Sequence, residues 1–233
     1  MSIDPIQGGV LSKSASAYEH LRRLATHGRL RPDRRLSPTD LANELRISVT
    51  PVRDALARLA AEGFIRGKDG RGYFTKTYTI QEQCDLYHLL LTLCVAGLDL
   101  ARQGAQAINA AALARLDAAQ APDASSAAIA ASLFADATDD LVVEIAGASG
   151  STALPPALRN LLDRTRYVRE LDAWSPTQRV AKATVMRALA DAIAADNLTG
   201  TVGLVRNHLQ QRAQRLPDVV AEANRLASAL KFP

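Results

Sequence analysis

Only two residues, Arg46 and Ile47, separate two short helical segments, and so tight a join admits few folds. The first segment opens Ser37-Pro38-Thr39-Asp40. Ser37 stands where a side-chain oxygen caps a helix, and Pro38 takes the first helical position, where its missing N–H costs nothing. This segment turns Leu41, Ala42 and Leu45 inward. The second begins at Ser48, carries Pro51 in its first turn, and buries a stripe of Val52, Ala55, Leu56 and Leu59. Two amphipathic helices joined by so short a turn form a helix-turn-helix.

The flanks complete a small domain. From Ser16 to His27 the apolar residues Ala17, Leu21, Leu24 and Ala25 recur at helical spacing, with Ser16 as the expected cap and Gly28 as the stop. After Gly63, the run Phe64-Ile65-Arg66, then Gly67-Lys68-Asp69-Gly70-Arg71-Gly72, then Tyr73-Phe74-Thr75 reads as strand, glycine-rich turn and strand. A hairpin there is a wing. The expected fold is mostly α: an N-terminal winged helix-turn-helix of three helices and a β-hairpin, followed by an antiparallel all-α bundle.

Past Thr79 the texture changes to alanine- and leucine-rich helices without strand signals, which sets a domain boundary at residue 78. Residues 1–78 are expected to be the winged helix-turn-helix domain and 79–233 an all-helical domain, to which the family resemblance given below assigns dimerisation and effector binding. Helices are expected at about 80–104, 109–119, 125–147, 151–172, 176–196 and 199–227, with breaks at Gly104, Pro122, Gly147 to Gly150, Ser175-Pro176 and Asn197. Charge divides the same way. Residues 1–78 hold 14 Lys+Arg against 8 Asp+Glu, and the remainder holds 14 against 16. A basic head on a slightly acidic body suits a polyanion-binding module with a separate regulatory part.

A winged helix-turn-helix acts by laying its second helix in the major groove while the wing and the helix N-termini grip phosphates. Ser48, Thr50 and the first-turn backbone at Val49 and Pro51 are expected to meet phosphates, and Arg53 projects one turn further in. Arg58 and Lys68 add positive charge, Arg71 stands at the wing tip, and Thr39 lies at the start of the preceding helix.

The ordered set Leu30-Arg31-Pro32-Asp33-Arg34-Arg35-Leu36, Asp40-Leu41-Ala42-Asn43-Glu44-Leu45, Ser48-Val49-Thr50-Pro51-Val52-Arg53-Asp54-Ala55-Leu56, Leu59-Ala60-Ala61-Glu62-Gly63-Phe64-Ile65 and Gly70-Arg71-Gly72-Tyr73-Phe74 resembles the GntR family of regulators. The resemblance implies that Ser48, Thr50, Arg53 and Gly72 face DNA, with Arg53 at a base edge. Many relatives carry arginine at the position of Val49, and often a basic residue at that of Thr39, so the operator sequence does not transfer.

The remainder resembles the FCD-type effector domain of the fatty-acid-regulator-like subgroup in length, helicity and local texture. Relatives that bind metal use an aspartate, a histidine four residues on, and two further histidines. With Gly150-Ser151 as anchor, those positions fall on Thr138, Val142, Met186 and His208, so only His208 keeps a ligand and no metal cofactor is expected. A register shifted by two would place Asp136 and Asp140 beside His208 as a thin metal site. The subgroup's arginine and glutamate on the first helix of this domain are replaced by Leu90 and Cys94. The resemblance thus implies an effector pocket of Leu90, Cys94, Thr138, Val142, Met186 and His208, more apolar than usual and suited to a hydrophobic small molecule. Arg164, Arg166 and Arg169 are expected on a solvated or dimer-facing edge, or with one reaching inward to an effector carboxylate.

The implied regulator is a cytoplasmic homodimer that binds a near-palindromic double-stranded operator, most often as a repressor. No uninterrupted apolar run approaches the roughly 20 residues of a membrane span, and the first ten residues carry no secretory pattern. Cys84 and Cys94 read as reduced core thiols. Two rival classes stay open on the sequence alone: a metal-dependent hydrolase using Asp136, Asp140 and His208, and a winged-helix protein-interaction module. The enzyme reading finds no nucleophile elbow, phosphate-cradling glycine loop or histidine-rich motif.

Overall fold

The computed structural model describes residues 13–68, 70–104, 114–115, 118–119, 127–195 and 197–230. By internal contacts the chain divides into two units, Met1–Tyr78 with Ala223–Pro233, and Thr79–Glu222. The final turns of the last helix, which the sequence pattern puts with the helical domain, therefore group with the first unit. The Asn224 carboxamide explains part of this: it accepts from the Tyr78 backbone N–H at 3.0 Å and donates to the Tyr78 carbonyl at 2.8 Å.

The first unit is a winged helix-turn-helix. Helices α1 (Lys13–Thr26), α2 (Pro38–Leu45) and α3 (Val49–Ala61) enclose a core of Ala17, Leu21, Leu41, Leu45, Val52, Leu56 and Leu59, all almost fully buried. Helix α1 begins at Lys13, a turn before Ser16, so Ser16 is not its cap. Ser37 does cap α2, accepting from the Asp40 N–H at 3.2 Å. Gly63, with φ +82°, sits just past the end of α3 in the left-handed region where only glycine is unstrained.

Three short strands form an antiparallel sheet in the order β1 (Arg35–Leu36), β3 (Gly72–Phe74), β2 (Arg66–Lys68). Strand β2 starts later than the sequence suggests, because Phe64 and Ile65 leave the ladder to fill the core. Strand β1 was not anticipated. It has two residues, Arg35 opposite Phe74 and Leu36 opposite Tyr73, too few for an alternation signal. Buried Thr75 fastens the turn before it: the hydroxyl accepts from the Arg34 N–H at 2.8 Å and donates to the Arg31 carbonyl at 2.6 Å.

The second unit is helical: α4 (Ile80–Gln103), α5 (Ala127–Ala148), α6 (Leu154–Asp172), α7 (Pro176–Ala194) and most of α8 (Leu198–Ser228). The helix expected at 109–119 falls mainly on residues outside those described. Helix α5 packs on α4, α6 and α7, and α4 also packs on α6. Ala131, Ala135, Ala137 and Ala146 are buried along α5 beside Phe134, Leu141 and Ile145, so the alanine richness serves close helix approach. Helix α4 is long and apolar enough to cross a membrane by composition, but its Leu86, Tyr87, Leu90, Cys94 and Leu98 face is buried within this unit.

Candidate functional sites: the winged helix and a polarised cavity

In the first unit the side chains of the expected DNA face are in water. Thr39, Ser48, Thr50, Arg53, Lys68, Arg71 and Gly72 are exposed. Ser48 occupies at α3 the position that Ser37 occupies at α2, with extended backbone at φ −73° and ψ 161°, yet it makes no side-chain cap bond. Its hydroxyl and the first-turn N–H groups are thus available to an anion at a helix N-terminus. Arg53 makes no ion pair or hydrogen bond to another described residue. At the wing, Gly70 (φ +67°) and Gly72 (φ +89°) hold the turn that presents Arg71, and the Lys68 ammonium lies 4.9 Å from the Phe74 ring centre.

Val49 is half-buried and packs on the core, and Pro51 is half-buried as well, so they contribute backbone shape rather than exposed side chains. For one residue of this face, Arg58, the expectation changes. Arg58 is not a free cation: its guanidinium lies 3.7 Å from the centre of the Tyr18 ring and bonds the Glu62 carboxylate at 2.9 Å. Tyr18 also donates to Glu62, which with burial pushes its phenol up to about 12. Arg58 therefore fastens α3 to α1.

In the second unit the structure gathers Leu90, Cys94, Thr138, Val142, Met186 and His208, from α4, α5, α7 and α8, around one cavity of about 90 Å³. Of the two registers considered for α5, it is Thr138 and Val142 that face this cavity. Asp136 and Asp140 do not line it. Both are exposed, Asp136 pairing with Arg166 at 2.8 Å and Asp140 with Arg115 at 3.2 Å. The set Asp136, Asp140 and His208 is therefore not assembled, and no group of three metal-ligating side chains occurs among the described residues. The hydrolase reading loses its donor set with it.

Leu90, Leu98, Phe134, Val142, Ile145 and Met186 make the cavity walls apolar. Burial pushes the Cys94 thiol up to about 12, so it stays neutral and belongs to that apolar surface. Cations line the same cavity, a feature the sequence pattern did not reveal: Arg169, Lys182 and Arg212 stand there with His208 and Tyr87. The Tyr87 ring lies 3.6 Å from the Arg212 guanidinium, which also donates to its hydroxyl.

Carboxylates hold these cations, Asp172 buried and Asp139 partly buried. Asp172 meets Lys182 at 2.9 Å, Arg212 at 3.2 Å and Arg215 at 3.3 Å. Those cations outweigh burial, which opposes them, and hold the Asp172 carboxyl far below the usual range. Arg169 pairs with Asp139 at 2.6 Å and donates to the Leu162 carbonyl at 2.9 Å. Arg166 bonds Asp139 at 3.0 Å and Glu170 at 2.6 Å. Arg166 and Arg169 are thus buried, not on a solvated edge, while Arg164 pairs with Glu82 at 3.1 Å. Arg169 shares Asp139 with Arg166, and Lys182 and Arg212 share Asp172 with Arg215. Burial, with repulsion from Arg212, pulls Lys182 down to about 7. Burial and the same cations pull His208 down to about 4, so its imidazole is neutral near pH 7.

Known proteins repeat this two-part plan. Residues 13–75 match the gntR family of bacterial regulatory proteins, and residues 95–211, half of the chain, match the FCD domain. The Nta operon transcriptional regulator of Aminobacter aminovorans is 29% identical over 149 residues, 64% of this chain and 70% of that protein. Among solved structures, E. coli McbR/YncC is similar in fold, with a TM-score of 0.65 and 18% identity over 90% of this chain and 99% of that one. A GntR-type regulator from Rhodococcus sp. RHA1 superposes with a TM-score of 0.66 and 21% identity over 89% of this chain and 99% of that one. A winged helix with an exposed recognition face, followed by the matching helical domain, identifies this chain as a DNA-binding transcription regulator of the GntR family with an FCD domain.

Proposed function

We propose that this regulator binds its operator as a homodimer in the cytoplasm, acts as a repressor, and changes its DNA affinity when a small organic anion with an apolar body enters the cavity of the helical unit. The observation that carries the effector reading is the cavity's mixed lining: apolar side chains from α4 and α5 together with Arg169, Lys182 and Arg212. An apolar wall rewards a desolvated hydrocarbon group, and lining cations reward one carboxylate. A second carboxylate on the same molecule would have to be buried against Phe134, Val142 and Met186 without a partner.

Size restricts the ligand further. The cavity of about 90 Å³ is smaller than the roughly 150 Å³ cavity that admits benzene in an engineered protein. A short aliphatic or compact cyclic monocarboxylate suits it better than a long acyl chain. His208, neutral near pH 7, donates or accepts one hydrogen bond to such a ligand and adds no charge. Binding would shift the balance between two arrangements of the dimer and so the separation of the recognition helices, which on a near-palindromic site lie about one DNA turn apart.

A thermal-shift and calorimetric panel tests this reading. Short monocarboxylates are compared with amides of the same shape and with dicarboxylates, on wild type and on Lys182→Met. The expected result is a preference for the monocarboxylate over its amide that disappears in the variant. Equal binding of acid and amide, or tighter binding of the dicarboxylates, would refute it.

A further inference from the structure

Two described residues other than glycine adopt positive φ, Asp33 at +52° and Arg46 at +56°. A β-carbon in that region crowds the following carbonyl, a strain that glycine avoids. Asp33 has a return within its own unit: its carboxylate accepts from the Thr77 hydroxyl and from the Arg66 guanidinium. Arg46 has none of this kind. Its backbone N–H caps α2 by donating to the Ala42 and Asn43 carbonyls, a role that any residue except proline could fill. The side chain is exposed, and its guanidinium meets no carboxylate or carbonyl among the described residues.

Position indicates what the guanidinium is for. Arg46 stands in the turn of the helix-turn-helix, two residues before Ser48, whose hydroxyl is uncommitted at the N-terminus of the recognition helix. When that terminus approaches a DNA backbone, the turn arrives with it, and an arginine side chain spans the remaining distance. Asp40, Glu44 and Asp54 are the exposed carboxylates of α2 and α3, and none of them pairs with Arg46. We infer that Arg46 is a DNA contact, its guanidinium fork gripping a phosphate that flanks the major-groove segment read by α3. This rests on the chain being a DNA-binding regulator and adds a residue not among those first assigned to the interface. The contact is to the backbone, so it contributes affinity on any sequence and no base preference.

The inference is testable because stability and binding should move in opposite directions. Full-length wild type, Arg46→Gly, Arg46→Asn and Arg46→Lys are compared by thermal unfolding and by fluorescence anisotropy on a mixed-sequence duplex of about 24 base pairs, between about 50 and 200 mM salt. Arg46→Gly should raise the unfolding midpoint by about 2–4 °C as the left-handed strain is relieved. It should also weaken DNA binding several-fold and lower the slope of log affinity against log salt by about 1. Arg46→Asn removes the charge without glycine's added chain freedom and should lose the same slope, whereas Arg46→Lys should keep it. Glycine and asparagine variants with wild-type affinity and slope would overturn the inference, as would weakened binding at unchanged slope. Wild type that binds duplex DNA at no salt concentration would instead overturn the DNA-binding reading and this contact with it.

Discussion

The arginines of the two units are put to opposite uses. In the winged helix, Arg46, Arg53 and Arg71 stand in water with no partner among the described residues, so their charge is available to a polyanion. In the helical unit, Arg166, Arg169 and Arg212 are each under a tenth exposed and are held by Asp139, Glu170 and Asp172. A solvated arginine can be removed at little cost to the fold, but a buried charge left without its partner cannot. Function and stability are therefore nearly independent on the DNA face and share the same side chains around the cavity.

The sharpest test of that contrast is Asp172→Ala. It strands Lys182 and Arg212 in a buried site, and urea unfolding should show a loss of about 3–5 kcal/mol. A loss below about 1 kcal/mol would mean that water reaches these cations and that the network is not buried in solution.

The next effect is pH dependence. His208 sits near 4 in the folded chain and near 6.5 when unfolded, so between those values the unfolded state holds a proton that the folded state does not. Stability should therefore rise with pH across that window, by about 3 kcal/mol in total, and His208→Gln should flatten the rise. Lys182 has the same sign in a higher window: it sits near 7 folded against 10.5 unfolded, so stability should keep rising above pH 7. An anion bound at Lys182 should draw a proton onto it. Titrations near pH 7 in buffers of different ionisation enthalpy should then report proton uptake on effector binding.

On the DNA face the effects are smaller and leave the fold alone. Arg53→Ala should cost about 1–3 kcal/mol of operator binding while changing stability by less than about 0.5 kcal/mol. Arg58→Ala should do the reverse on a lesser scale. Stability should fall by about 1 kcal/mol as the contacts to Tyr18 and Glu62 are lost, with the salt slope of DNA binding unchanged. A reduced slope for Arg58→Ala would show that the guanidinium leaves Tyr18 to meet DNA.

The same contrast explains what was legible in the sequence. The winged helix is written in local signals, such as the Ser37 cap, Pro38 at the helix start and Gly63 at the stop, and each operates within a few residues. The apolar lining of the cavity could be reached through helical periodicity, which separates Thr138 and Val142 from Asp136 and Asp140 by a third of a turn or more. Its cations could not. Arg169, Lys182 and Arg212 come from three different helices, and a long charged side chain on a helix is by default a solvated one. The signal available for Arg169 was its company: Arg166 and Glu170 flank it on a helix that also buries Leu162, Thr165 and Val168. Arg46 was hidden for another reason, since its left-handed backbone depends on how α2 ends and leaves no mark in hydrophobic pattern.

Selection from a pool of randomised duplexes, run in parallel with wild type and Arg53→Ala, tests the central claim most directly because the protein itself picks out its operator from the pool. Wild type should enrich a pair of inverted half-sites about one DNA turn apart, and the enrichment should collapse in the variant while the protein stays folded. A pool that wild type leaves random, or a motif that the variant enriches equally well, would contradict it.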